Sequence, residues 1–283
     1  RSCIKNSKLK KLTLSCFFNS KEDIAMFNSY FSGDNDLEEI NFSNHTFNIP
    51  ILLADSLLNY EKNKKLISIN FNSCVLTDDD IELISKYISE NNLFKYCDLG
   101  NNEISQKSCF KLGTMIEKSS SLEQLILNNC KLNGETSMLL FNSKGSKSLK
   151  HININDNDIG DIGLVGITSF IKNSPKIEKF ELTGVNGGDM GFSTLINCVK
   201  ASGNVKELHF GNNKIRKNVE FDDDGTEITF DMVYADGRVD YTYSAYIETA
   251  EIGMDRDTLK LLINSVYGLT AANFDNPFRE HSN

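Results

Sequence analysis

Four histidines and seven cysteines are the side chains in this sequence that could do chemistry, and their spacing limits what they can do. A zinc site needs Cys and His ligands clustered at short spacing, and the sequence contains no such cluster. The cysteine count is odd and no CxxC pair occurs, which favours reduced, buried thiols over a disulfide framework. No histidine lies in a local Ser/His/Asp or Cys/His arrangement that would activate a nucleophile. The sequence therefore predicts no catalytic residue, no metal and no cofactor.

The acidic charge is concentrated at the C-terminal end of the chain. The 283 residues carry a formal net charge of −9, and residues 218–283 hold 14 acidic and 4 basic residues, a local charge of −10. This leaves +1 for residues 1–217, which makes nucleic-acid binding unlikely there because no broad basic field can condense on phosphates. No apolar stretch approaches the roughly 18 residues that span a bilayer. Without an export signal, the cysteine usage predicts a cytoplasmic protein.

A repeated pattern, apolar-x-x-apolar-x-apolar, recurs along most of the chain and predicts where its strands and helices lie. It occurs eight times, and successive copies are 27 to 29 residues apart. Each copy predicts a short strand, and the residues between copies have helical periodicity. The copies are Leu9-Leu12-Leu14, Leu37-Ile40-Phe42, Leu66-Ile69-Phe71, Phe94-Cys97-Leu99, Leu122-Leu125-Leu127, Leu149-Ile152-Ile154, Ile177-Phe180-Leu182 and Val205-Leu208-Phe210.

This pattern resembles the leucine-rich repeat family, and its period and helical second halves resemble the ribonuclease-inhibitor-like class. The resemblance implies an α/β fold over residues 1–217: a leucine-rich-repeat solenoid of eight repeats, with parallel strands on the concave side and helices on the convex side. It also implies Asn or Cys three residues after the last apolar position. Five copies agree with this pattern and three depart from it. The agreeing residues are Cys74, Asn102, Cys130, Asn157 and Asn213, and the departing ones are Phe17, His45 and Val185.

The helices are predicted from their start signals. Thr77 precedes three aspartates and the apolar residues Ile81, Ile84, Tyr87 and Ile88, which predicts an N-cap with acids in the first turn. A second apolar face follows Gly160-Asp161 and comprises Ile162, Val165, Ile167, Phe170 and Ile171. A third, from Leu52 to Leu58, follows Pro50. Residues 2–7 are similar to residues 169–174, so we expect them to end a preceding helix and at least one earlier repeat to be missing.

The C-terminal 66 residues (218–283) do not continue the repeat. Alternation from Ile228 to Met232 and from Val239 to Tyr246, around Asp236-Gly237, predicts a β-hairpin. A helix is expected from Thr258 to about Tyr267. Residues 218–283 are thus predicted to form an acidic β-hairpin/helix appendage, either a native cap that covers the end of the solenoid or a fused segment.

One stretch of this appendage bears on chemistry. Lys260, Asn264, Ser265, Tyr267 and Gly268 resemble the KxxxNSxYG motif of family B DNA polymerases. The resemblance implies that the lysine would meet an incoming triphosphate. The paired aspartate motifs that hold the two catalytic metals are absent from the sequence, so this chain alone is not expected to polymerise DNA. A coincidental motif in a native cap and a polymerase-derived piece both remain open.

The outward strand residues offer the candidate binding site. Because parallel strands place residues one repeat apart side by side, the bulky Tyr96 and Ile126 are expected to form anchors within a polar rim. The predicted partner-binding residues are Tyr96, Asp98, Gln124, Ile126, His151 and Asn153. The sequence thus predicts a non-enzymatic scaffold that binds another protein through its concave strand face. The alternatives are a surface that only faces water, a GTPase-activating regulator with an acidic tail, and a repeat protein fused to a non-catalytic polymerase fragment.

Overall fold

The structure is a computed structural model that describes residues 8–14, 36–44, 65–141, 144–214, 227–233 and 239–243. The chain divides into two compact units. The first unit comprises residues 1–131 and 146–149, and the second comprises residues 132–145 and 150–283. The predicted boundary at residue 217 falls outside the described residues and stays a prediction.

The first unit is a parallel sheet, with helices described before and after its fourth strand. Each strand pairs with the next one along the chain, with Leu12 opposite Ile40, Ile40 opposite Ile69 and Ile69 opposite Cys97. The register therefore equals the sequence spacing of the repeat. The elements are β1 (Lys11–Thr13), β2 (Glu39–Asn41), β3 (Ser68–Asn70), α1 (Asp78–Glu90), β4 (Tyr96–Asp98), α2 (Gln106–Lys118) and β5 (Gln124–Ile126).

The second unit repeats this arrangement, and its last two described strands form a hairpin. Strands β6 to β9 are parallel in chain order, and β10 pairs with β9 in the antiparallel direction, which confirms the predicted hairpin. The predicted turn at Asp236-Gly237 and the helix from Thr258 lie outside the described residues. The elements are α3 (Gly134–Leu140), β6 (His151–Asn153), α4 (Gly160–Lys172), β7 (Lys179–Glu181), α5 (Asp189–Ser202), β8 (Glu207–His209), β9 (Glu227–Val233) and β10 (Val239–Tyr243). The predicted α/β leucine-rich-repeat fold is confirmed.

The core consists of the apolar repeat positions, which are buried from Leu37 to Phe210 wherever they are described. Leu9 is 38% exposed, because β1 has a paired strand on one side only among the described residues. The predicted apolar face of α4 is partly wrong: Ile162 is 60% exposed and Val165 is 43% exposed, whereas Ile167 and Phe170 are buried. At 100° per residue, one helix side cannot include all five predicted positions.

The Asn or Cys side chain three residues after the last apolar position bonds the backbone of the preceding repeat. The buried Asn102 Oδ1 accepts hydrogen bonds from the backbone N–H groups of Cys74 (2.9 Å) and Leu76 (3.2 Å). Its Nδ2 donates to the carbonyl of Phe71 at 2.9 Å. Asn213 bonds the previous repeat in the same way. Its Nδ2 donates to the carbonyl of Leu182, and its Oδ1 accepts from the N–H of Val185, the residue that departs from the Asn/Cys pattern. These bonds satisfy backbone groups that burial removes from water.

The turns after the strands need a left-handed residue in almost every repeat. The residue types at this position are mostly Asn, Asp and Gly, which adopt positive φ at low cost. The residues with positive φ at this position are Asn44, Ser73, Asn101, Asn129, Asp156, Gly184 and Asn212. Helix α1 begins as predicted, with a capping box in which the Thr77 side chain accepts from the N–H of Asp80. Within the described part of the chain, no helix is long and apolar enough to cross a membrane.

Candidate functional site

The strand face is formed by the first and third residues of the three-residue strands β1 to β8, which flank a middle residue that is buried in β2 to β8. Four predicted site residues lie on the strand face of the first unit. Register pairs Tyr96 with Gln124 and Asp98 with Ile126 across β4 and β5. Tyr96 and Ile126 are half-buried, Gln124 is exposed and Asp98 is buried. The structure thus brings the two predicted anchors onto neighbouring strands.

Asp98 accepts hydrogen bonds from four donors, so its charge is satisfied inside the protein. Its Oδ1 accepts from the N–H of Gly100 (2.9 Å) and from Asn72 Nδ2 (3.2 Å), and its Oδ2 accepts from Asn70 Nδ2 at 3.1 Å. The Tyr96 hydroxyl donates to Oδ2 at 3.5 Å. A Cβ at position 100 would lie 2.3 Å from Asn128 Oδ1 and 2.7 Å from Asn72 Nδ2, so these two side chains would have to shift. Asp98 therefore positions its neighbours.

The tyrosine hydroxyl stays protonated and can only act as a neutral hydrogen-bonding group. Burial, followed by the negative charge of Asp98, raises the pKa of Tyr96 to about 12. The ring remains half-buried and held by its bond to Asp98. Such an amphipathic, oriented side chain loses little conformational freedom when a partner covers it.

The other two predicted residues, His151 and Asn153, lie on β6 in the second unit and converge on a carboxylate that the sequence did not single out. Glu181 Oε1 bonds His151 Nε2 at 2.8 Å, and Glu181 Oε2 accepts from Asn153 Nδ2 (2.7 Å) and Asn155 Nδ2 (3.3 Å). The bond to His151 contributes most to lowering the pKa of Glu181 to about 2.

The polar cluster in the second unit also includes Lys179 on β7 and extends to β8. Lys179 lies 3.4 Å from Glu181 Oε1 and 3.1 Å from Glu207 Oε2, and His209 lies 3.5 Å from Glu207 Oε2. Charges of opposite sign one repeat apart on outward strand positions are the sequence signal that identifies this cluster. Its members satisfy one another, which is typical of the polar rim of a binding surface.

A shallow pocket of about 440 Å³ opens on the strand face of the first unit. Its walls are strand residues of β1 to β4, and Tyr96 forms one side. The polar and charged residues in its lining include Lys11, Thr13, Asn41, Ser68 and Lys95, which directly precedes β4.

The thiols do not offer a reactive centre in the described part of the chain. All five cysteines there are buried. Burial raises the pKa of Cys97, and it raises the pKa of Cys130 to about 12, so both stay protonated and poorly nucleophilic. In those same segments, no group of three or more His, Cys, Asp or Glu side chains could hold a metal ion.

No known family model matches the chain. Among curated proteins, it is 27% identical over 145 residues to mouse "NACHT, LRR and PYD domains-containing protein 5", which covers 50% of this chain and 12% of that protein. It is 22% identical over 177 residues to the "Protein Cep78 homolog" of Drosophila melanogaster, which covers 54% of this chain and 22% of that protein. The chain therefore matches less than a quarter of either relative.

Among solved structures, the chain is similar to a protein in the "Crystal structure of TLR13-ssRNA13 complex", with a TM-score of 0.45 and 17% identity over 77% of this chain and 31% of that one. The sequence likeness to an LRR protein agrees with the parallel strands, the alternating helices and the asparagine ladder described above. Together they show that this chain has a leucine-rich-repeat-like fold.

Proposed function

We propose that this protein is a non-enzymatic scaffold that binds another protein through its strand face. The observation that carries the proposal is the pair of half-buried side chains, Tyr96 and Ile126, on the adjacent strands β4 and β5. The repeat architecture supports this function, because solenoids present extended surfaces made of many neighbouring strands. The partner remains defined only as a protein.

The anchors have the features of binding hot spots. Tyrosine is enriched among residues that dominate interface energies, and a buried polar network restricts this one before any partner arrives. Asp98 lies beside both anchors by register and on its own strand. Gln124 is exposed and supplies a polar contact at their edge. His151 and Asn153, which the sequence also predicted to bind the partner, bond Glu181 within the second unit.

The proposal includes the finer sequence-based interpretations. We assign the repeats to the ribonuclease-inhibitor-like class and residues 1–217 to the solenoid. We also propose that the protein is cytoplasmic. Residues 218–283 act as its C-terminal cap, since β9 pairs with the last repeat strand, β8. The polymerase-like motif around Lys260 lies outside the described residues and has no role in this proposal.

The test is a measured affinity for a partner first identified by affinity purification. Replacing Tyr96 or Ile126 by Ala is expected to weaken binding by about 1–3 kcal/mol each, because each removes a central contact. Stability should change little, since neither residue is a core position. Titration calorimetry gives the affinity, and thermal unfolding checks the fold.

Phe110→Ala is the matched control, because Phe110 is an apolar side chain on helix α2 that is 61% exposed. We expect it to bind the partner like the native protein. If the folded Tyr96→Ala/Ile126→Ala double variant keeps full affinity, the strand face is not the site. Clear stimulation of GTP hydrolysis by a small GTPase would contradict the non-enzymatic assignment.

A further inference from the structure

Three asparagines occupy the same place at the ends of strands β2, β3 and β6. In each, the side-chain Oδ1 accepts a hydrogen bond from the backbone N–H two residues later. The distances are 2.8 Å for Asn41 with Ser43, 2.8 Å for Asn70 with Asn72 and 2.9 Å for Asn153 with Asn155. The shared bond fixes the side chain in one orientation, and the amide Nδ2 is then available to the next repeat.

Two of these amides meet a carboxylate in the next repeat. Asn70 is in register with Asp98 and donates to it at 3.1 Å. Asn153 is in register with Glu181 and donates to it at 2.7 Å. In both cases, the acceptor of the asparagine amide is therefore a carboxylate oxygen.

The third amide meets no carboxylate. Asn41 is in register with Asn70, whose own Oδ1 is already engaged by the N–H of Asn72. Among the described residues, Asn41 Nδ2 donates to no acceptor, although Asn41 lines the pocket on the strand face. The position that Tyr96 holds beside Asp98 is filled here by the smaller Ser68, which also lines the pocket.

The charges around this pocket favour an anion. Lys11 and Lys95 line it together with a single acid, Glu39. Glu39 pairs with Lys11 at 2.8 Å, and Lys95 lies 3.8 Å from Glu123. The lining therefore carries a net charge of +1, and hydrogen bonds from an amide to an ionised carboxylate are stronger than those between neutral groups.

We propose that this pocket receives the carboxylate of an Asp or Glu side chain from a partner protein, with the Asn41 amide as its hydrogen-bond donor and Lys11 and Lys95 supplying the favourable field. The partner's carboxylate gives the Asn41 amide the kind of acceptor that Asp98 and Glu181 give the other two asparagines. This inference rests on the proposed function, because it assigns a partner chemistry to part of the same strand face.

The test is an NMR titration of the isotope-labelled protein with N-acetyl-glutamate amide, compared with the neutral N-acetyl-glutamine amide. The acidic probe is expected to shift the Asn41 side-chain amide signals and the backbone amide signals around the pocket saturably, and the neutral probe is not; the backbone signals report binding in every variant. Asn41→Asp should weaken the acidic probe about tenfold or more, since it removes the donor and adds a repelling charge. It keeps the oxygen that accepts from Ser43, so the turn is preserved.

Gln106→Glu is the matched control, because it adds the same charge at an exposed position on helix α2. It should leave probe binding unchanged. Lys95→Gln is the second variant and should weaken the acidic probe without touching the asparagine. Equal shifts with both probes, or unchanged binding by folded Asn41→Asp and Lys95→Gln, would overturn the inference.

The partner distinguishes this inference from the proposed function. If Tyr96→Ala/Ile126→Ala loses the partner while Asn41→Asp keeps it, and the acidic probe binds the native protein and Asn41→Asp alike, the strand face binds but the carboxylate pocket is wrong. If the acidic probe is selective for Asn41 while the alanine variants bind the partner fully, the pocket stands and the proposed anchors are wrong.

Discussion

At the scale of a single residue, Val75 is a β-branched residue at a position where the repeat has a left-handed backbone conformation. Its φ is 52° and its side chain is 71% exposed. A β-branched residue is strained in the left-handed region, where Cβ approaches the following carbonyl. Lys131 and Asn186 occupy the equivalent place two and four repeats later, with φ of 57° and 63°. Asparagine tolerates this conformation best of the three.

Val75→Asn is therefore expected to raise the free energy of unfolding by about 1 kcal/mol. Urea denaturation measures it as a higher midpoint with an unchanged slope. Val165→Asn is the control, because Val165 is 43% exposed on helix α4 and the two residue types have similar helix propensities. A gain in both variants, or in neither, would show that backbone strain at Val75 is not the cause.

At the scale of elements, the Glu181 network couples β6 to β7. The pKa of Glu181 falls from 4.5 to about 2 in the folded protein, first because His151 bonds the ionised form. A lowered pKa means that this stabilisation is present above pH 4.5 and is lost as the pH falls towards 2. Asparagine donors from β6 and its following turn add to the effect by bonding the same carboxylate.

Glu181→Gln should therefore destabilise the protein by about 1–3 kcal/mol at neutral pH. The difference in free energy of unfolding between this variant and the native protein should become smaller as the pH falls from 6 to 3. Denaturation at each pH measures this difference. Glu103→Gln removes an exposed carboxylate, which lies 2.7 Å from Lys131, and should have almost no effect at any pH. A constant Glu181→Gln difference across this range would refute the linkage.

At the scale of the whole molecule, the C-terminal hairpin pairs with the last repeat strand. Strand β8 lies between β7 and β9, with Leu208 in register with Ile228. Removing residues 218–283 takes away β9 and leaves β8 as an open edge. Repeat proteins depend on nearest-neighbour interfaces, so the loss should stay local.

The shortened chain, residues 1–217, should show amide hydrogen exchange about tenfold or more faster in residues 207–213. Exchange in residues 96–102, which lie in the first unit, should stay unchanged and serves as the internal control. Exchange that is unchanged at residues 207–213 would show that residues 218–283 do not act as a cap. Exchange that rises equally in both segments would show that the units unfold together.

The sequence by itself determined the strand positions, their order and their register. Stacked repeats must have nearly equal lengths to keep one strand beside the next, so the 28-residue spacing between Tyr96 and Gln124 could be translated into a register pair. The N-cap at Thr77 and the hairpin of β9 and β10 followed from local turn and helix chemistry. The N-cap and the hairpin depend on residues that lie close together in the sequence.

Only the tertiary structure decided which polar groups meet. The four-donor environment of Asp98, the convergence of His151 and Asn153 on Glu181, and the amide of Asn41 without a carboxylate all depend on the residue that stands one repeat away. The outward direction of Ile162 was likewise decided by the packing of α4. Hydrogen bonds require distance and direction between specific atoms, and periodic spacing alone specifies neither.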